Sequence, residues 1–276
     1  MLNLGKYIVT GAKMDIKNFV FDNTEQPLQN LKDDCGFAAI FRNIGVIGDS
    51  LSSGEFESTD GNGTVHYHDM YEYSWPSFLG RTIGAEIRNF SRGGMTAKEY
   101  CSGYADERGF WQPCQAYIIG LGNNDLFVFN MKAGCAADIH VGDGDKNPDT
   151  FFGWLGKIID KLKTLQKDAR IFLVSMTRDG SSVERDKFIE YVADEMAKVV
   201  QMYEYCYLID MTKHAPVYDA KVRGAFAMGY HPNCMGYYIY AKMIGNYMDY
   251  LIRKYYKDFF EVPFIGTGLK NNTVKR

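Results

Sequence analysis

Five short, nearly unbroken apolar runs alternate with longer amphipathic stretches, and that alternation predicts an α/β domain built on a parallel sheet. The runs cover 43–48, 84–90, 115–121, 170–176 and 205–210. Strands covered on both faces have no polar side to show, so they lose the period-two pattern of a half-exposed strand. The helices between them are marked more sharply. In 150–166, Phe151, Trp154, Leu155, Ile158, Ile159, Leu162 and Leu165 fall on one stripe, and Asp149 or Thr150 can cap its start. In 182–203, Val183, Phe188, Tyr191, Val192, Met196, Val199, Val200 and Tyr203 do the same, with Ser181 and Glu184 at capping-box spacing. A last helix is predicted from Cys234 to Tyr256, opened by Pro232-Asn233.

Residues 1–40 carry little periodicity and are expected to form an N-terminal extension packed on a main domain of 41–276, whose tail after Pro263 reads as loosely ordered. No repeat, linker or low-complexity segment divides the chain, so one domain is expected. A net charge of -3 with no run of Lys or Arg argues against a nucleic-acid partner. No stretch reaches the ~18 unbroken apolar residues of a membrane span. The N-terminus lacks a basic stretch followed by an apolar run, and the six cysteines are scattered without a C-x-x-C pair. These features suit a cytoplasmic protein with reduced thiols, or equally a secreted one already processed.

Chemistry concentrates just beyond the apolar runs. Gly48-Asp49-Ser50-Leu51 leaves the first one, and the carboxyl edge of a parallel sheet is where a serine hydroxyl can be presented to a ligand. Taken alone, the tetrapeptide is as easily an Asp-Ser cap. Three more segments follow other runs: Asn89-Phe90-Ser91-Arg92-Gly93-Gly94-Met95-Thr96, Gly120-Leu121-Gly122-Asn123-Asn124-Asp125, and Met228-Gly229-Tyr230-His231-Pro232-Asn233. All four can meet at one edge of the sheet.

This ordered set resembles the SGNH (GDSL) hydrolase superfamily over roughly residues 43 to 250. The resemblance implies a flavodoxin-like three-layer α/β/α sandwich and a serine esterase or acylhydrolase without a metal or cofactor. It places Ser50 as nucleophile and His231 as general base. The oxyanion hole would be formed by the amides of Ser50 and Gly94 with the Asn124 carboxamide. The chemistry fits those residue types, because a neutral serine needs a base and a developing oxyanion needs N–H donors. The family's usual aspartate three residues before the histidine is Met228 here. A backbone carbonyl could hold the ring, another carboxylate such as Asp210 or Asp219 could substitute, or catalysis could be lost and only ligand binding kept. Family substrates include acetylated sugars, lysophospholipids, thioesters and aryl esters. Many aromatics and no broad hydrophobic lid favour a short acyl group on a small-molecule or carbohydrate ester. A long-chain lipase or thioesterase, and a catalytically silent carbohydrate-binding protein, are the alternatives.

Other residues carry plainer readings. His66-Tyr67-His68-Asp69 lacks a third ligand for a metal and reads as a polar surface loop. Asp125 is expected to brace the turn presenting Asn124. The Asp-rich stretch 134–149 lacks the register of a calcium loop and is expected to be a loop bordering the pocket. Of Tyr67, Tyr71, Tyr73, Trp75 and Trp111, one or two are expected at the site and the rest in packing.

Overall fold

The apolar runs form one five-stranded parallel sheet in the computed structural model, which describes residues 20–267. Its strands are β1 (Asn43–Gly48), β4 (Glu86–Asn89), β5 (Ala116–Gly120), β6 (Arg170–Val174) and β7 (Cys206–Ile209), in the spatial order β4-β1-β5-β6-β7. Between β1 and β5 the crossovers change direction, and the carboxyl ends of strands at such a switch point are where open α/β sheets take their ligands. Gly48 and Gly120 stand side by side at that point.

Alternate side chains along each strand enter different cores. Ile44 and Val46 of β1, Ala116 and Ile118 of β5, and Phe172 and Val174 of β6 share one cluster with helix α1 (Trp75–Ile83) and helix α4 (Cys234–Lys254). Ile47, Tyr117, Ile119, Ile171 and Leu173 point the other way. They pack with helix α2 (Phe151–Leu165) and helix α3 (Val183–Met202). The fold is therefore the three-layer α/β/α sandwich that the resemblance implied, built on the parallel sheet expected from the continuous apolar strands.

Helix starts follow capping chemistry. Thr150 Oγ1 accepts from Gly153 N at 3.1 Å to open α2, and Asn233 Oδ1 accepts from Gly236 N at 2.9 Å to open α4. The cap of α3 is Ser182 rather than Ser181. Ser182 is extended at φ -155°, so its Oγ reaches Arg185 N at 3.1 Å, while Ser181 N is turned back onto Asp179 Oδ1.

Residues 20–40 lie along α4. Arg253 holds Glu25 through both terminal nitrogens, at 2.6 and 2.8 Å, and holds Asp249 through Nε at 2.9 Å. Lys32 adds a 2.8 Å ion pair to Asp249. The first part of the extension, 1–19, and the last residues of the tail, 268–276, lie outside the described residues.

A second departure matters more. Residues 66–69, expected as a surface loop, are exposed but lie in a strand: β3 (Val65–Asp69) pairs with β2 (Glu55–Thr59) in an antiparallel hairpin, with Glu57 opposite Tyr67. Its strands hold only Phe56, Val65 and Tyr67 as apolar residues, too few for a clear period-two signal. His66 faces Asp60 at 3.1 Å and His68 faces Ser58 at 2.7 Å across this hairpin.

Candidate active site

Asp49 follows β1 and caps a single helical turn, Ser50–Ser53, its Oδ1 accepting from Leu51 N at 3.1 Å. Ser50 thus opens the turn at the sheet's carboxyl edge. A side chain on Gly48 would collide with Ser52, so glycine is what lets the chain fold back so tightly.

The second and third segments are tied to the first by buried hydrogen bonds. Arg92 N donates to Gly48 O at 3.3 Å. Asn124 Nδ2 donates to Met95 O at 3.1 Å and to Asp49 Oδ2 at 3.4 Å. Asp125 Oδ1 accepts from Ala97 N at 2.9 Å, so it braces the neighbouring segment as well as its own turn. Gly94 sits at φ +70°, a conformation that favours glycine, with no heavy atom near where a Cβ would stand. Burial pushes the carboxyls of Asp49 and Asp125 up to about 6.

His231 comes from the other side of the cleft. It lies on a two-residue strand, β9 (His231–Pro232), paired with β8 (Ala227–Met228) through a turn at Gly229-Tyr230. Ser50, Gly94, Asn124 and His231 all line one cavity of about 590 Å³. Among the described residues no hydrogen bond joins Ser50 Oγ to the imidazole; Nε2 instead faces Glu55 Oε1 at 3.2 Å.

The ring's other nitrogen meets a carboxylate that the sequence did not reveal. Glu57 Oε1 lies 2.5 Å from His231 Nδ1 and also accepts from Tyr230 N at 2.9 Å. The Glu57 side chain is only 7% exposed, and Gly229, at φ +66°, leaves just enough room for its second oxygen. Met228 is 42% exposed. Neither Asp210 nor Asp219 contacts the ring, because each opens a helix of its own. Asp210 accepts from Lys213 N at 3.0 Å and Asp219 from Lys221 N and Val222 N, both at 2.9 Å.

Glu55 and Glu57 escaped notice because they belong to the overlooked hairpin. One signal was there: Asp60-Gly61-Asn62-Gly63 is a strong turn between two short extended segments. Burial raises the Glu55 carboxyl, His231 draws it down again, and Asp69 and Glu57 add to the rise. Its Oε2 leans on Gly93, beside Gly94.

Of the five aromatics singled out, Tyr67 lines the cavity, edge-on to the His231 ring at 6.0 Å between centroids. Trp75 is buried in the first core. Residues 134–149 do not line the cavity; Phe127 and Val128, just after the Asn124 segment, do.

A family model described as the GDSL-like lipase/acylhydrolase family matches residues 46–239. No curated protein matches the chain. Among solved structures, a possible lipase from Chitinophaga pinensis is 14% identical with a TM-score of 0.52, the match covering 77% of this chain and 98% of that one. A family two carbohydrate esterase from Clostridium thermocellum, in complex with cellohexaose, is 14% identical with a TM-score of 0.53, covering 85% and 66%. A family two carbohydrate esterase with a carbohydrate binding domain from Corynascus thermopiles is 14% identical with a TM-score of 0.52, covering 74% and 64%. At such identities these proteins share the fold, and this chain spans about two thirds of either carbohydrate esterase. Among the described residues, no helix is long and apolar enough to cross a membrane.

Proposed function

Because the chain belongs to the GDSL-like lipase/acylhydrolase family, we propose that it is a serine esterase cleaving a short-acyl ester, on a carbohydrate, through an acyl-Ser50 intermediate. The observation that carries this reading is the shared cavity of Ser50, Gly94, Asn124 and His231, with Glu57 seated on the far nitrogen of the ring.

In the reaction, His231 Nε2 leaves Glu55 and takes the proton of Ser50 Oγ as that oxygen bonds to the carbonyl carbon. Glu57 accepts from Nδ1–H throughout, fixing the tautomer and stabilising the imidazolium. It fills the role that an aspartate in place of Met228 would have filled. Negative charge on the former carbonyl oxygen meets the Ser50 and Gly94 amides and Asn124 Nδ2. Collapse breaks the ester C–O bond, and His231 returns its proton to the leaving alcohol. Water then attacks the acyl-enzyme by the same route and releases the carboxylic acid.

A carbohydrate ester is favoured by two supports. Fold neighbours include carbohydrate esterases, and Tyr67 and the 86% exposed Tyr230 offer ring faces at the cavity.

The test is labelling by a fluorophosphonate probe and turnover of p-nitrophenyl acetate, beside Ser50→Ala. The native chain should label and turn over, and the variant should do neither. A folded native chain that stays unlabelled and inactive sinks the esterase and leaves a carbohydrate binder. Faster turnover of palmitate than acetate esters would replace the short-acyl substrate with a lipid or thioester.

A further inference from the structure

The cavity that holds Ser50 and His231 is also lined by two guanidiniums, those of Arg185 and Arg223. Both are anchored on Asp179. Arg185 Nε pairs with Asp179 Oδ2 at 2.5 Å, and Arg223 Nη1 donates to Asp179 O at 3.4 Å. Arg223 Nη1 also donates to Tyr218 O at 2.6 Å. Among the described residues no carboxylate pairs with Arg223, and its Nε and Nη2 make no hydrogen bond. Neighbouring acids are engaged elsewhere: Asp186 Oδ1 accepts from Asp179 N and Gly180 N, Glu190 faces Arg178, and Asp219 caps its own helix.

Two fixed positive charges therefore stand on the wall of a substrate cavity whose carboxylates are engaged elsewhere: Asp179 pairs with Arg185 and Glu55 faces His231, while Arg223 is held by the backbone carbonyls of Asp179 and Tyr218. An arginine held by backbone carbonyls through one nitrogen keeps its full charge, and its remaining N–H groups suit a planar anion. Arg185 is further fixed by stacking on Phe127, 3.5 Å from the ring centroid. Neither side chain needs reordering to receive a ligand, which keeps the entropic cost of binding low.

We propose that Arg223, supported by Arg185, is an anion subsite, and that the preferred ester carries a carboxylate away from the scissile bond, as on an acetylated uronic-acid sugar. This specificity rests on the esterase reading above, but binding at the subsite can be measured without turnover.

The experiment compares O-acetylated methyl glucuronoside with the matching O-acetylated methyl glucoside, which differ by a carboxylate in place of a hydroxymethyl group. Calorimetric titration into the Ser50→Ala chain should give about tenfold or more tighter binding of the glucuronoside, the size of one charge-assisted hydrogen bond. The gap should narrow in high salt. It should vanish when Arg223→Gln is added and partly survive Arg223→Lys, which keeps the charge and loses the fork. A purely structural role for Arg223 would weaken both ligands together and leave their ratio unmoved. Equal affinities in the Ser50→Ala chain overturn the subsite, as does a gap that survives Arg223→Gln. Turnover of p-nitrophenyl acetate by the native chain reports separately on the esterase, so the two readings fail independently.

Discussion

Glu57 Oε1 sits 2.5 Å from His231 Nδ1 while Glu55 Oε1 sits 3.2 Å from Nε2, so the two imidazole nitrogens face two acids of opposite consequence. In the proposed reaction the first aids general-base catalysis, and the second competes with Ser50 for the nitrogen that accepts its proton. Glu57→Gln removes the acceptor that selects the Nδ1–H tautomer, and kcat on p-nitrophenyl acetate should fall about 10²–10⁴-fold with an unchanged melting profile. Glu55→Gln should act in the opposite sense. With that carboxylate gone, Nε2 is free to turn to Ser50, and kcat on p-nitrophenyl acetate should rise. An unchanged kcat would show that Glu55 yields the ring without cost. Asn124 Nδ2 commits one N–H to Met95 O at 3.1 Å and the other to a long 3.4 Å bond with Asp49 Oδ2, and in the proposed reaction that long bond gives way to the oxyanion. Asn124→Ala should cost about 10²–10³ in kcat, the usual loss for one such donor, read by the same assay.

Among elements, the β2–β3 hairpin and the β8–β9 turn matter most, because they are joined through one carboxylate. Gly229, at φ +66°, packs against Glu57, whose Oε1 accepts from Tyr230 N. Gly229→Ala adds a strained backbone and pushes a methyl group into that carboxylate. The expected result is a loss of kcat similar to that of Glu57→Gln, with about 1–2 kcal/mol of stability lost in urea unfolding. Equal activity of this variant and the native chain would separate the turn from the catalytic geometry. The sheet strands and the long helices were legible in the sequence because burial on both faces, amphipathic stripes and caps leave local patterns. The hairpin was not, since its strands are mostly polar and, of its two buried residues, only Phe56 is apolar; the other, Glu57, is an acid whose burial makes sense only beside His231.

At the level of the whole molecule, two buried carboxyls beneath the cleft couple stability to pH. Burial raises Asp49 and Asp125 to about 6, and Asp125 Oδ2 is buried without a hydrogen-bond partner. Between roughly pH 4 and 6 the folded chain keeps protons that the unfolded chain has released. Their contribution is therefore largest on the acid side and is lost as pH rises through that window. Asp125→Asn, which keeps an oxygen for Ala97 N, should flatten the fall in urea midpoint between about pH 4.5 and 6.5. A slope as steep as that of the native chain would assign the effect to other groups.

The α/β architecture, the positions of β1, β5 and β6, and the segments bearing Ser50, Gly94, Asn124 and His231 are written in local runs, periods and motifs, each complete within a few neighbouring residues. The partner of His231 is of another kind. It stands 174 residues away in the chain, in a polar strand with no local mark, and the sequence offered Asp210 and Asp219 in its place. A carboxylate is chosen for a ring by which turn leaves a buried gap beside the nitrogen, and that gap exists only after the hairpin and the Gly229 turn have packed together.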